Sequence, residues 1–218
     1  KLEKYLRSQN IDVPFYIMRS SGGLAQAEEI SRLPIAAALS GPAAGVIAAS
    51  HFGKLSGYPD VICFDVGGTS ADICLVEGGE PRMLTEGRVD IYDVKTAMID
   101  IHTIGAGGGS IAWVDSGGLL EIGPHSAGAV PGPVCYGRGG SEPTVTDANV
   151  ALGYLNPEYL LGGSFPLNAE KARRAIADRV AGPLGLSEID AAHGIHLLAN
   201  SNMGRALRAV SSERGRDP

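Results

Sequence analysis

The sequence predicts an α/β protein, and the order of its apolar, glycine and small residues supports that fold class. Two continuous apolar runs, residues 61–65 (VICFD) and 73–77 (ICLVE), are typical of buried strands. The seven residues between them are too few for a crossover helix, so the two runs form a hairpin. A stretch of small residues at 43–52, preceded by Ser40 and Pro42, predicts a helix before the hairpin.

Turn and capping residues locate the other elements. The sequence DSGG at 115–118 separates strand-like runs at 110–114 and 119–122 and predicts a second hairpin. A capping-box pattern at 187–190 opens a long helix that ends near residue 210. The remaining predictions are a helix end in residues 1–10, a strand at 13–19, helices at 25–32, 146–155 and 168–180, and a long loop at 123–143.

These elements divide the chain into three predicted segments. Residues 1–60 form a strand and helix segment of the core. Residues 61–155 contain the glycine hairpin and a glycine-rich section of strands and loops, and residues 156–218 form a helical section. The 31 glycines are about twice the usual share of roughly 7%. The glycines are clustered rather than spread evenly, and we expect the functional sites to lie in these clusters.

Composition and charge indicate a folded protein and argue against two kinds of partner. Of 218 residues, 44% are hydrophobic and 19% are charged, which is ordinary globular usage. The formal net charge is −6 and basic residues do not cluster, so we expect no nucleic-acid partner. No apolar run reaches about 18 residues, so we expect no membrane insertion. Cys63, Cys74 and Cys135 include no CxxC pair and fit reduced thiols, so a cytoplasmic location is expected.

The glycine hairpin carries the strongest chemical signal. Its two glycines allow backbone N–H groups to approach an anion closely, and the following hydroxyls add donors. Asp65 and Asp72 stand at the two ends of the loop, where carboxylates can hold a hydrated divalent cation. The loop therefore predicts a magnesium–phosphate site, and the alternative is a tight turn that the aspartates merely cap. The predicted phosphate donors are Gly67, Gly68, Thr69 and Ser70.

A second candidate is the pair Asp100 and His102. The two side chains share a face if the segment is extended, because side chains alternate with period two. A carboxylate and an imidazole so close can bind a metal or exchange a proton, with His125 and Cys135 nearest to complete a set. The alternative is a hydrogen-bonded structural pair.

Two further glycine clusters lie at 105–110 (GAGGGS) and 132–140 (GPVCYGRGG). The first is not a dinucleotide fingerprint, because strand-like residues follow it instead of a helix. It is either a loop crowded by backbone or one that lines a substrate or an interface. In the second cluster, Cys135 is either an exposed thiol whose pKa Arg138 lowers or a buried structural cysteine. Arg138 itself either binds a carboxylate or phosphate or stabilises the loop by hydrogen bonds.

The helical section offers two weaker candidates. Asp147 is either catalytic or placed at a helix N-terminus that Thr146 caps. His193 and His196 lie three residues apart on one helix face, and such a pair is usually structural or exposed rather than a metal site.

The glycine hairpin resembles the second phosphate loop of the actin, sugar-kinase and chaperone ATPase superfamily, in which a strand ending in Asp-x-Gly-Gly-Thr turns back into a second strand. A finer resemblance is to the hydantoinase/oxoprolinase family, which includes hydantoinase A of the N-methylhydantoinases, 5-oxoprolinases and the acetone carboxylase β subunit. The phrases that carry it are LSGPAAGVIAA, FDVGGTSADICLV, DIHTIGAGGGSIAWVDSGG, SAGAVPGPVCYGRGG and PTVTDANVALGYL.

The resemblance implies an incomplete ribonuclease H-like ATPase core, because the family's first phosphate loop and its adenosine loop are missing from this sequence. It implies that the chain is an internal fragment of an enzyme that uses ATP and Mg²⁺ to open a cyclic amide by carbonyl phosphorylation, with a hydantoinase B-type partner subunit or domain. Asp65 and Asp72 would be the catalytic and metal-binding residues. The alternatives are a β subunit of an ATP-dependent ketone carboxylase and a non-catalytic binding or assembly fragment.

Overall fold

The computed structural model describes residues 2–89 and 91–217, which form two compact units. The first unit holds residues 2–63 and Cys74–Ile101, apart from residue 90, and the second holds Phe64–Ile73 and residues 102–217. The predicted division at 1–60, 61–155 and 156–218 stays a prediction. In the described part of the chain, no helix is both long and apolar enough to span a membrane.

The first unit is built from short strands around one long helix. A 3₁₀ turn at Pro34–Ala37 precedes that helix. The elements are α1 (Leu2–Ser8), β1 (Tyr16–Met18), β2 (Leu24–Gln26), α2 (Ala27–Arg32), α3 (Ser40–Leu55), β3 (Val61–Val66) up to Cys63, β4 (Ala71–Glu77) from Cys74, β5 (Glu80–Pro81), β6 (Met83–Leu84), β7 (Gly87–Val89), β8 (Tyr92–Val94) and β9 (Met98–Ile99).

The core of the first unit lies between α3 and the strands. Small residues on α3 allow close packing, so that Ala43 is fully buried and Val46 nearly so. Their neighbours in one apolar cluster are Cys63, Cys74, Val76 and Ile99. The predicted helix at 43–52 is confirmed and begins earlier, at Ser40. The strand predicted at 13–19 is limited to β1, which pairs antiparallel with β2.

The second unit combines the tip of the β3–β4 hairpin with a second hairpin and a layer of helices. Short 3₁₀ turns occur at Val134–Tyr136, Leu160–Gly163 and Ser212–Arg214, and a π-helical turn at Ala177–Ala181 follows α5 directly. The further elements are β10 (His102–Ile104), β11 (Ser110–Val114), β12 (Leu120–Ser126), α4 (Val145–Ala151), α5 (Ala169–Ile176), α6 (Gly182–Leu184) and α7 (Glu188–Val210).

The strands of the second unit bring distant parts of the chain together. Strand β4 lies between β3 and β10 in one sheet, and β10 pairs with it antiparallel, with Thr103 opposite Asp72. Strands β11 and β12 form the predicted second hairpin. Strand β12 continues to Ser126, so the loop predicted to start at residue 123 begins later than expected.

Helices α4, α5 and α7 bury the apolar core of the second unit. Ile176 and Ile195 are fully buried and pack in one cluster with residues of α4 and of the second hairpin. Helix α7 is confirmed from its capping residue Ser187, whose hydroxyl accepts the N–H of Asp190 at 3.1 Å. The prediction that Thr146 caps α4 is wrong. The N-cap is Thr144, and Asp147 completes a capping box with Thr144.

Candidate functional site

The four residues Gly67–Ser70 connect β3 to β4 at the tip of the hairpin. The N–H of Gly67 donates to the carbonyl of Ser70 at 2.8 Å and closes the turn around Gly68 and Thr69. The N–H of Gly67 is therefore already hydrogen-bonded within the turn, and this predicted phosphate donor is not available in the observed conformation. Gly68 and Thr69 are exposed, and their N–H groups have no hydrogen-bond acceptor among residues 2–89 and 91–217.

The two aspartates occupy corresponding positions on the strands that flank the tip. Strands joined by so short a connection are antiparallel, and Asp65 and Asp72 each lie two residues outside the Gly67–Ser70 hydrogen bond. Residues directly opposite each other share a face, with Cβ atoms about 5 Å apart. Asp65 is exposed, and Asp72 is half-buried and accepts the hydroxyl of Thr103 at 2.5 Å.

The second glycine cluster packs directly against the hairpin tip. The N–H groups of Gly108 and Gly109 donate to the carbonyls of Gly67 and Gly68, at 3.1 and 2.6 Å. A Cβ atom at Gly107 would lie 2.7 Å from the Gly67 carbonyl oxygen, which is closer than side chains tolerate. Of the two interpretations of the 105–110 loop, the crowded backbone is therefore the one observed. The loop supports the hairpin tip through these backbone hydrogen bonds.

Replacing Gly107 by alanine is expected to push the two loops apart, because the new methyl group has no space beside Gly67. We expect the free energy of unfolding to fall by about 1–3 kcal/mol, measured by urea denaturation followed by circular dichroism. Gly204→Ala is the matched control, since it lies inside α7 with its nearest neighbour 4.0 Å away. That control should gain up to about 1 kcal/mol from helix propensity. Wild-type stability in Gly107→Ala would show that the loops can separate freely.

Helix α4 holds the supporting loop through its first turn. The backbone N–H and the hydroxyl of Thr146 both donate to the carbonyl of Gly108, at 2.7 and 2.8 Å. Next to it, Asp147 is completely buried and accepts four hydrogen bonds, from the N–H groups of Val134, Cys135 and Thr144 and from the Thr144 hydroxyl. A carboxylate so enclosed is a structural anchor, so the catalytic interpretation of Asp147 finds no support.

The loop around Cys135 is also structural. Cys135 is 1% exposed, and burial, followed by the nearby Asp147 carboxylate, raises the pKa of its thiol far above the ordinary value. The Arg138 guanidinium stacks over the Phe165 ring, with its central carbon 4.8 Å from the ring centroid. Cys135 is therefore a buried neutral thiol, and Arg138 stabilises the loop.

The buried thiol predicts a stability loss at alkaline pH. In the unfolded chain Cys135 ionises near its ordinary pKa of 9.0, whereas in the folded chain it stays protonated. Above pH 9 only the unfolded state releases this proton, so stability falls by up to about 1.4 kcal/mol per pH unit. We expect wild type to lose stability more steeply than Cys135→Ala in urea denaturation between about pH 8 and 10.5. Parallel pH curves for the two proteins would contradict this assignment.

The predicted pair Asp100 and His102 falls on two sides of the division into units. Asp100, in the first unit, lies 3.7 Å from the Arg82 guanidinium. His102, in the second, is exposed and stands opposite Ile73, so it alternates to the other face of the sheet from Thr103 and Asp72. His125 is exposed on β12. Within residues 2–89 and 91–217, no three His, Cys, Asp or Glu side chains converge as a metal site, and the metal role of the pair stays a prediction.

Of the two histidines on α7, one is structural and the other is exposed, as the sequence predicted for such a pair. Both ring nitrogens of His196 are hydrogen-bonded, to Asn149 at 3.0 Å and to Asn200 at 2.8 Å, and its ring packs against Tyr154. His196 is therefore a structural residue that joins α7 to α4. The neighbouring His193 is exposed.

Sequence reasoning missed two hydroxyls beside the tip. Thr103 bonds Asp72, and the Ser126 hydroxyl lies 3.5 Å from that of Thr69. Both residues come from strands distant in sequence, 31 and 57 residues from their partners. A signal for Thr103 was available, because it lies between His102 and the glycine loop in an extended segment, but its strand partner could not be inferred from the sequence alone.

Two carboxylates on facing positions, beside exposed backbone donors, form a set of hard oxygen ligands and anion donors of the kind that Mg²⁺ and phosphate require. Mg²⁺ commonly takes one or two protein carboxylates and completes its shell with water and phosphate oxygens, so a third protein ligand is not needed. The residues present fit a magnesium ion and a nucleotide phosphate.

Comparison with solved structures confirms the predicted fold class, an α/β protein with an ATPase-like core. Nucleotide-free acetone carboxylase superposes with a TM-score of 0.90 at 32% identity, covering 100% of this chain and 30% of that one. The ATP-dependent caprolactamase from Pseudomonas jessenii superposes with a TM-score of 0.80 at 43% identity, covering 100% and 32%. More narrowly, the chain belongs to the Hydantoinase/oxoprolinase family, whose sequence profile matches residues 1–218.

Characterised relatives agree with this assignment. The caprolactamase alpha subunit of Pseudomonas jessenii is 48% identical over 205 residues, covering 94% of this chain and 30% of the relative. The acetophenone carboxylase gamma subunit of Aromatoleum aromaticum is 43% identical, covering 98% and 29%. 5-Oxoprolinase 1 of Arabidopsis thaliana is 35% identical, covering 92% and 17%. The chain spans less than a third of the length of these relatives.

Proposed function

We propose that this chain supplies the second phosphate loop of an ATP-dependent enzyme that opens a cyclic amide. The observation that carries the proposal is the hairpin tip, where Gly68 and Thr69, exposed and with free N–H groups among the described residues, lie in the turn that joins the strands of Asp65 and Asp72. Relatives named caprolactamase and 5-oxoprolinase support a cyclic amide as the substrate class. Ring amides are poor electrophiles, and ATP supplies the phosphoryl group that turns the carbonyl oxygen into a leaving group.

In this proposal the chain contributes positioning and charge neutralisation. Gly68 and Thr69 donate their N–H groups to phosphate oxygens, and the hydroxyls of Thr69 and Ser70 add donors. Asp65 and Asp72 hold Mg²⁺ directly or through its water, and either carboxylate orients the attacking group. Gly67 fixes the turn that aims these donors.

A second candidate function is ATP-dependent carboxylation of a ketone. It is supported by the superposition on acetone carboxylase, with a TM-score of 0.90, and by the relative named acetophenone carboxylase gamma subunit. The same phosphate loop serves both reactions, so the two functions differ in substrate and partner. Relatives named as subunits support a partner subunit for either function, and a hydantoinase B-type chain is our proposal for the amidase.

The three buried cysteine thiols support a cytoplasmic location.

The test is Mg·ATP binding by the complete gene product, measured by calorimetry and followed by assays of phosphate release. We expect binding that requires Mg²⁺, and ATP hydrolysis stimulated by a hydantoin, 5-oxoproline or a lactam. Stimulation by acetone or acetophenone with bicarbonate would select the carboxylase instead. A complete gene product that ignores Mg·ATP would leave the chain as a non-catalytic assembly module and overturn the proposal.

A further inference from the structure

Three side chains form a row across the sheet that carries the candidate site. Thr103 on β10 stands opposite Asp72 on β4, and the hairpin geometry places Asp72 opposite Asp65 on β3. Directly opposed residues share a face of the sheet, so the hydroxyl and the two carboxylates point to the same side. Thr103 therefore lies one strand beyond the two carboxylates of the proposed metal site, on the same face of the sheet.

The side chain of Thr103 is exposed, but its backbone is held by strand pairing. The pairs on either side of it, His102 with Ile73 and Ile104 with Ala71, anchor the strand, and Ile73 and Ala71 are fully buried. A β-branched residue on a strand has a restricted first side-chain torsion, so the hydroxyl has little freedom to turn away. Its 2.5 Å hydrogen bond to Asp72 Oδ1 is therefore held by the register of two strands.

The two carboxylates differ in restraint. Asp72 is half-buried, and one of its oxygens is occupied by the Thr103 hydroxyl. Asp65 is exposed and has no hydrogen-bond partner among the residues that the structure describes. Like charges placed directly opposite each other repel, so two unrestrained carboxylates would turn apart when no cation lies between them. The hydrogen bond keeps one of them from doing so.

We propose that Thr103 is a positioning residue that holds Asp72 in the orientation in which its second oxygen receives the divalent cation. This inference rests on the proposed function, because it assigns a role toward the metal of that same site. Asp65 is then the carboxylate that adjusts when the cation binds, and Asp72 is the fixed reference. Partners that orient a metal ligand in this way commonly change metal affinity by about 10–100-fold when they are removed.

The test measures Mn²⁺ binding to the complete gene product in the presence of ADP, by electron paramagnetic resonance. Thr103→Val keeps the shape of the side chain and removes the donor, and we expect it to weaken Mn²⁺ binding at least about 10-fold. Thr103→Ser keeps the donor and should bind within about 3-fold of wild type. Thr103→Ala is a second deletion that adds no apolar bulk, in case the valine variant does not fold. Thr85→Val, at an exposed threonine outside the site, should leave binding unchanged.

The outcomes separate this inference from the function on which it rests. If Asp72→Asn loses Mn²⁺ but both Thr103→Val and Thr103→Ala bind it as wild type does, the positioning role is overturned and the metal site stands. If Thr103→Ser falls as far as Thr103→Val, the contact is a packing contact and the inference also fails. If wild type binds no Mn²⁺ with ADP, the proposed function fails and this inference fails with it.

Discussion

Replacing Asp65 by asparagine is expected to lower ATP hydrolysis by the complete gene product at least about 100-fold. The substitution keeps the shape of the side chain and removes the negative charge that a divalent cation requires. Asp65 is exposed and makes no hydrogen bond to the described residues, so folding should not depend on it. The measurement is phosphate release at saturating Mg·ATP, with the unfolding midpoint recorded for the same preparation.

The control for Asp65→Asn is Asp178→Asn, an exposed aspartate in the π-helical turn of the same unit. It removes the same charge away from the hairpin and should retain full activity. Asp72→Asn should also be inactive, with a larger effect on stability, because it disturbs the bond from Thr103. An Asp65→Asn enzyme with wild-type turnover would show that the hairpin is an architectural turn and that the cation is held elsewhere.

Features with a local cause were predictable from the sequence. The hairpin at residues 61–77 follows from two apolar runs and a glycine turn, and α7 follows from the Ser187 capping box. Each of these signals lies within a few residues of the structure that it determines. The same holds for Asp65 and Asp72, whose places at the ends of a short turn fix them opposite each other once the strands pair.

Features that depend on contacts between distant segments were not predictable. The pairing of β10 with β4 brings Thr103 to Asp72, and the 105–110 loop is crowded only because it meets Gly67 and Gly68. The cap of α4 was misplaced for a related reason. Thr144 and Thr146 are both adequate capping residues, and the choice follows from the bonds of Thr146 to Gly108, 38 residues earlier.

Replacing Asp147 by alanine is expected to cost about 3–5 kcal/mol of unfolding free energy. The carboxylate is completely buried, and its removal leaves the N–H groups of Val134, Cys135 and Thr144 without an acceptor in a region closed to water. Urea denaturation followed by circular dichroism gives the global effect. The rate of iodoacetamide labelling of Cys135 gives the local one, since the thiol should become reactive when the 134–136 turn is released.

The matched control for Asp147→Ala is Asp190→Ala, because both aspartates occupy the third position of a helix and pair with a capping hydroxyl. Asp190 is exposed, so water replaces its lost hydrogen bond with Ser187, and the cost should stay near about 0.5–1 kcal/mol. The difference between the two variants isolates burial from capping. Since Thr146 links the same helix turn to Gly108, Asp147→Ala should also loosen the support of the hairpin tip and weaken Mg·ATP binding. Equal losses in the two variants would show that capping alone, and no buried network, holds this part of the site together.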